Sequence, residues 1–379
     1  MAVDETYSDL QPKRVGRVLQ LDGLRAVAIA LVVVLHLTLS TSSFAQGGWI
    51  GVDVFFVLSG FLITSLFVEE SAARADGRLS LGRFYLRRIF RLWPAYVAFI
   101  LGTLLYARIF QSADFASWRH QLWIGATYRM NFWSVNNQPH DGVGQIWSLC
   151  MEEQFYLLWP VTLLLLSRWV SRNWLIVVTA MLVALSMAEN VVLALDHVRY
   201  QRLYYPPDTN AYSLLLGCLF ALMFSAGYFD RLLSRRFSRW FPLVFVVVLL
   251  AWTHFIDGTK DWVYAGPVQL MCIATGLALL ALIAMPDTLL GRILALRFVV
   301  WIGVLSYSIY LWNLLAISAA PASRPHDRPR ELAHYGVELF LLVGLPLVSF
   351  YLIERPGLKL KKRFEVRRTG VDALHLASD

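Results

Sequence analysis

Long apolar segments recur along the whole chain and constrain its fold more than any other feature. A helix needs about 20 predominantly apolar residues to cross the roughly 30 Å hydrocarbon core of a bilayer. Ten segments approach or reach this length, and they lie at residues 22–42, 51–68, 93–110, 146–167, 174–195, 210–226, 240–256, 263–285, 299–320 and 335–354. Such runs are far longer than barrel strands, so helices are the expected spanning element. The sequence predicts an all-α membrane protein, a polytopic bundle of about ten transmembrane helices.

The composition agrees with a lipid environment. Hydrophobic residues make up 58% of the 379 residues and charged residues 16%, against roughly 25% charged in a typical soluble domain. The net charge of +8 comes from basic residues scattered between apolar segments, which argues against nucleic acid as a partner. The three cysteines lie in apolar stretches without CxxC spacing, so they predict neither a disulfide framework nor a metal site.

The distribution of Lys and Arg predicts the orientation in the membrane. If the N-terminus is cytoplasmic, 24 of these residues fall in inner segments and 9 in outer loops. Cytoplasmic loops carry the excess of Lys and Arg in membrane proteins. Both termini are therefore expected in the cytoplasm. This arrangement agrees with an even number of spans.

The chain is predicted to hold a single membrane domain at 21–356. A cytoplasmic leader at 1–20 precedes it, and a basic cytoplasmic tail at 357–379 follows it. The tail is too short to form a core of its own. Anchoring to anionic lipid is its expected role, with regulation as the alternative.

Arg25 and His36 are ionisable residues inside the first predicted span. In lipid such residues are candidates for function. They are eleven positions apart, which leaves a net rotation of about 20° and places both on one helix face, roughly 16 Å apart along the axis. Alternatively, Arg25 reaches back to the cytoplasmic surface and His36 bonds a neighbouring helix.

Two further polar clusters follow. Asp53 lies just inside the second span among aromatics and glycines, where it either serves catalysis or caps its own helix. Arg88 and Arg91 are three apart on one helix face, at the cytoplasmic surface before the third span. They either anchor the protein by the positive-inside rule or bind the phosphates of a cytoplasmic cofactor.

Glu152 and Glu153 lie one to two turns into the fourth span. At that depth one of them can approach His36, and a Glu–His pair is an arrangement that suits a general base acting on a hydroxyl. Because neighbours on a helix point about 100° apart, only one is expected to face the site. Structural pairing with an arginine is the competing role.

These four clusters, in this order and spacing, resemble the acyltransferase-3 family of integral membrane O-acyltransferases. The first helix resembles the family signature of Arg, ten residues and then His. The next three resemble its GVDxFFVLSGF segment, its RxxR before a proline and its WSLxxEEQFY segment. Three later segments also match, namely LLLGCLFAL, LSYSIYLW and IERP. The resemblance covers the chain from about residue 20 to 356.

The resemblance implies an enzyme of a bacterial inner or plasma membrane. It would transfer an acyl group, usually acetyl from cytoplasmic acetyl-coenzyme A, to a hydroxyl of a sugar-containing acceptor. Family acceptors include cell-surface polysaccharides such as peptidoglycan, glycolipids and macrolides. His36, Arg25 and Glu152 match catalytic positions of the family, and Arg88 and Arg91 match positions that bind the acyl-CoA donor. Acyl-CoA is then a substrate, and no permanently bound cofactor is expected.

Three positions depart from the commoner family pattern. Asn210 and Tyr212 stand where many members have Arg and Asp, and Asn313 stands where many have His. Some members also carry a soluble hydrolase-like domain at the C-terminus, and this chain is expected to be the stand-alone membrane form. The identity of the acceptor is left open by these differences.

Two other functions fit a membrane bundle with buried charges. A transporter or flippase would use them along a translocation path, but the chain shows no inverted repeat or pair of broken helices. A non-catalytic scaffold would have no need for Arg25 and His36 in lipid. No metal site is predicted, because His36 has no further ligand at suitable spacing in its own helix.

Overall fold

The computed structural model describes residues 18–38, 46–72, 80–230, 237–319 and 328–361. Within these ranges the chain is helical and contains no strand. Nine helical segments in the described part are long and apolar enough to cross a membrane, and a further apolar helix, Arg239–Phe255, is shorter. The predicted all-α polytopic architecture is confirmed, whereas the number of crossings and the orientation of the termini stay predictions. The predicted leader and tail lie almost wholly outside the described residues.

The described part of the chain contains ten long helices, and each predicted span overlaps one of them. Their bounds are α1 Leu19–Thr38, α2 Ile50–Ala72, α3 Leu81–Phe110, α4 Ile146–Trp169, α5 Arg172–Leu195, α6 Pro207–Ser225, α7 Phe237–Phe255, α8 Pro267–Ala284, α9 Arg297–Ala319 and α10 Arg328–Ser349. The largest difference from prediction is α3, which begins at Leu81 rather than at residue 93. It runs through Pro94, so the basic RxxR segment lies on the same helix as the third span.

The helices that carry the candidate site meet at close range. α2 packs extensively on α6, and α1 on α9. A Cβ at Gly217 of α6 would lie 2.1 Å from the carbonyl oxygen of Val57 of α2, and a Cβ at Gly303 of α9 would lie 1.8 Å from that of Asp22 of α1. Only glycine permits this separation. Small residues at such crossings let backbones approach in membrane bundles.

The last helix changes its winding where it reaches the site. α10 is followed by a π-helical turn, Phe350–Glu354, and then by the helix Arg355–Lys361. Such turns often occur at functional positions because they redirect one side chain. Here the turn ends at Glu354, which is buried and accepts a hydrogen bond of 2.8 Å from the hydroxyl of Ser308 on α9.

Candidate active site

An open cavity with an empty volume of about 830 Å³, the arginine cavity, lies between α1, α2, α3, α4 and α9. Among the described residues, its charged lining residues are the three cations Arg25, Arg88 and Arg91 and the carboxylate Glu152. Hydroxyl-bearing residues from α2, α4 and α9 also line it, and they are Ser59, Ser148, Tyr156, Ser306, Tyr307 and Tyr310. The surplus of positive charge suits an anionic ligand.

Arg88 packs against an aromatic ring at the cavity. The guanidinium carbon lies 3.1 Å from the centre of the Tyr156 ring, and a cation over an aromatic ring is attracted by the ring quadrupole. Its Nε atom is buried and has no hydrogen-bond partner among the described residues. The adjacent Arg87 instead forms an ion pair with Glu70. Of the two roles predicted for this basic segment, a structural role in anchoring the protein therefore fits Arg87 better than Arg88.

Arg91 is the third arginine of this group. It interacts electrostatically with Arg25 and Arg88 and with the carboxylate of Glu354. Glu354 also interacts with Arg25. The structure thus brings together the three predicted arginines from α1 and α3 and adds Glu354, a residue that the sequence did not single out for the site. Its only sequence signal was the IERP segment, which lies at the end of the last predicted span.

Glu152 belongs to the arginine cavity and is not paired with His36. Its Oε1 accepts a hydrogen bond of 2.8 Å from the hydroxyl of Ser59 on α2, and its carboxylate interacts with Arg88 and Arg25. Of the two roles predicted for these glutamates, the contacts of Glu152 fit pairing with an arginine and not an approach to His36. The physical reason is that Glu152 shares one face of α4 with Ser148 and Tyr156, at four-residue spacing, and this face lines the cavity.

His36 pairs across the bundle with α9. Its Nδ1 lies 2.5 Å from Oδ1 of Asn313. The amide nitrogen of Asn313 donates to the backbone oxygens of Ile309 at 3.1 Å and Tyr310 at 2.7 Å. Tyr310 lines the arginine cavity, so His36 reaches α9 about one helical turn beyond the cavity. Asn313 was visible in the sequence only as a departure from the family pattern.

Asp53 lies in a different environment from the arginine cavity. It is 2% exposed, and neither carboxylate oxygen has a hydrogen-bond partner in the part of the chain that the structure describes. It does not line the cavity. Neither of its two predicted roles, helix cap or catalytic acid, receives support from a contact.

The other two departures from the family pattern serve packing in the described structure. The amide of Asn210 donates a hydrogen bond of 2.8 Å to the backbone oxygen of Tyr204. The backbone N–H of Tyr212 donates to the hydroxyl of Ser186 on α5 at 3.2 Å. Both residues are buried at the start of α6.

The fold and the cavity define a multi-pass membrane protein with a positively charged internal site. A family model described as "Acyltransferase domain" matches residues 18–352, and the chain belongs to this family. The resemblance seen in the motifs is thereby confirmed. No solved structure gives a significant match to the chain.

Several relatives are 30–32% identical to the chain over the aligned residues. The peptidoglycan O-acetyltransferase OatA of Listeria monocytogenes is 32% identical over 305 residues, which cover 77% of this chain and 48% of the relative. The putative peptidoglycan O-acetyltransferase YrhL of Bacillus subtilis is 32% identical, covering 89% and 54% respectively. The O-acetyltransferase OatA of Staphylococcus aureus is 30% identical, covering 89% and 56%. The chain spans about half the length of these relatives.

Proposed function

We propose that the protein is a membrane O-acyltransferase that moves an acetyl group from acetyl-coenzyme A to a hydroxyl of a cell-surface glycan. The observation that carries the proposal is the cavity lined by three half-buried arginines and Glu152. Family membership supports acyl transfer over transport. The names of the relatives, which are peptidoglycan O-acetyltransferases, support acetyl as the group and a glycan as the acceptor.

Arg88, Arg91 and Arg25 would hold the phosphates of the donor. Guanidinium groups bind phosphate through paired, charge-assisted hydrogen bonds, and all three side chains line the cavity. Glu152 would position Arg25 and Arg88 by opposing their charges. The positive-inside count places this end of the bundle toward the cytoplasm, where coenzyme A is found.

His36 would act as the general base. The hydroxyl of the acceptor gives its proton to His36 as its oxygen attacks the thioester carbonyl carbon. The carbon–sulfur bond then breaks, and the proton passes to the leaving thiolate to give free coenzyme A and the ester. His36 lies roughly 16 Å along α1 from Arg25, so the pantetheine arm of the donor would extend through the bundle interior. The acceptor would approach from the outer side, whereas a cytoplasmic acceptor is the competing arrangement.

The experiment is an acetyl-transfer assay on the purified protein in lipid nanodiscs, with radiolabelled acetyl-CoA and soluble peptidoglycan fragments. We expect wild type to bind acetyl-CoA and to label the glycan. His36→Gln should bind the donor normally but transfer at least about 100-fold more slowly, because a general base contributes roughly 10²- to 10⁴-fold. His120→Gln, which changes an exposed histidine, is the matched control. Absence of donor binding by wild type, or full turnover by His36→Gln, would contradict the proposal.

A further inference from the structure

The hydrogen bond between His36 and Asn313 contains information about the position of a proton. It joins α1 to α9 through Nδ1 of the imidazole and Oδ1 of the amide, which are 2.5 Å apart. A carbonyl oxygen of an amide only accepts hydrogen bonds. If Oδ1 faces His36, the hydrogen of this bond must therefore belong to Nδ1.

The surroundings of Asn313 fix which way its amide points. Its NH₂ group lies against two backbone oxygens, those of Ile309 and Tyr310. Two N–H hydrogens and two accepting oxygens satisfy each other. A flipped amide would instead place its oxygen against these two oxygens and lose both bonds, which is costly for a residue that is 0% exposed. Oδ1 is therefore the atom directed at His36.

We propose that Asn313 is a positioning residue that holds neutral His36 with its hydrogen on Nδ1, so that Nε2 is the atom that takes the proton of the acceptor hydroxyl. This inference rests on the proposed function of His36. When Nε2 receives the proton, the Nδ1–H bond to Asn313 stays in place and the ring does not need to turn. The partner of a ring nitrogen sets the tautomer in this way in other histidine sites.

An uncharged partner suits this location. A carboxylate at position 313 would direct one oxygen at His36 but the other at the backbone oxygens of Ile309 and Tyr310, which only accept hydrogen bonds. It would also bring another charge into the membrane-spanning part of the bundle, where an incompletely paired charge is expensive. The amide orients the imidazole without either cost. Glu152, which is engaged with Ser59 and the arginines, is not needed for this role.

Nitrogen-15 NMR of histidine-labelled protein in lipid tests the proposal directly. The His36 signals are those that disappear in His36→Gln. In wild type we expect a protonated Nδ1 and a bare Nε2. Asn313→Leu, which has similar size but no acceptor, should lose this preference for Nδ1–H. Its kcat should fall by about 10- to 100-fold, less than the loss expected for removal of the base itself, while its KM for acetyl-CoA should stay within about twofold because the donor arginines are untouched.

The control is Ser318→Ala, which removes a hydroxyl whose hydrogen bond among the described residues stays within α9, to the backbone oxygen of Leu315. It should change neither the His36 signals nor kcat. A bare Nδ1 in wild type overturns the proposal, and this spectrum needs no variant at position 313 to fold. An unchanged tautomer and kcat in Asn313→Leu also overturn it. Full turnover by His36→Gln would instead refute the proposed role of His36, whatever tautomer the wild-type spectrum shows.

Discussion

Replacement of Arg91 by Gln tests the assignment of the cavity to the donor most sharply. The change removes one of the three cations that line it but keeps a hydrogen-bonding side chain of similar reach. A hydrogen bond to a charged group contributes about 1.5–3 kcal/mol. At about 1.4 kcal/mol per tenfold change, the Kd for coenzyme A should rise by about 10- to 100-fold. A transport or scaffold role makes no such prediction.

The ligand-free variant should still fold. In wild type the charge of Arg91 is repelled by Arg25 and Arg88 and attracted by Glu354. Its removal relieves two repulsions, and Glu354 keeps its interaction with Arg25. The thermal stability of the ligand-free protein should therefore change little, and the effect should appear in donor binding.

Isothermal titration of coenzyme A into nanodisc-embedded protein measures the effect, and Arg83→Gln is the matched control. Arg83 lies on the same helix, carries the same charge and is exposed, outside the cavity. Added salt should weaken binding to wild type and should weaken binding to Arg91→Gln less steeply, because the variant has one cation fewer to screen. Wild-type affinity in Arg91→Gln, or an equal loss in Arg83→Gln, would refute the assignment.

The remaining predictions concern packing and topology. Gly217→Ala should lower the melting temperature, because its Cβ would meet the backbone of Val57 at 2.1 Å. The control Gly344→Ala, with open space around its Cβ, should be neutral or slightly stabilising. An equal effect of both substitutions would contradict the packing argument. A membrane-impermeant thiol reagent applied to intact cells should label Gln138→Cys but not Asp287→Cys, and the reverse pattern would invert the predicted orientation. All three native cysteines are buried, so the background should be low.

The fold was predictable to the extent that it depends on local sequence. Apolar length located all ten long helices, since a span must satisfy its backbone hydrogen bonds internally. The start of α3 was missed because its first turns are basic and lie before the apolar part of the helix. The short helix Phe115–Ala126 was also missed, because its apolar and polar residues form no long apolar run.

The site was predictable in its members but not in their partners. Helical periodicity correctly separated Glu152 from Glu153 and placed Arg88 and Arg91 on one face. Helical periodicity gave no information on which helix faces His36. That depends on the packing of α1 against α9, and the partner on α9, Asn313, is 277 positions from His36 in sequence. Depth alone suggested that Glu152 or Glu153 could approach His36. Depth is the same for residues of several helices, so it does not choose between them.

The distance between Arg25 and His36 on α1 explains why the donor, under the proposed function, needs a long arm. Backbone-level contacts hold α1 on two sides: a Cβ at Gly51 of α2 would lie 2.4 Å from the oxygen of Ala28, and one at Gly303 of α9 would lie 1.8 Å from that of Asp22. The rise of an α-helix, 1.5 Å per residue, keeps Arg25 and His36 roughly 16 Å apart along its axis. Under the proposed function, the base and the phosphate site are therefore separated by this distance. The acyl group must therefore travel from the phosphate site to His36 on a flexible carrier, and this requirement distinguishes a thioester on pantetheine from a compact donor such as acetyl phosphate.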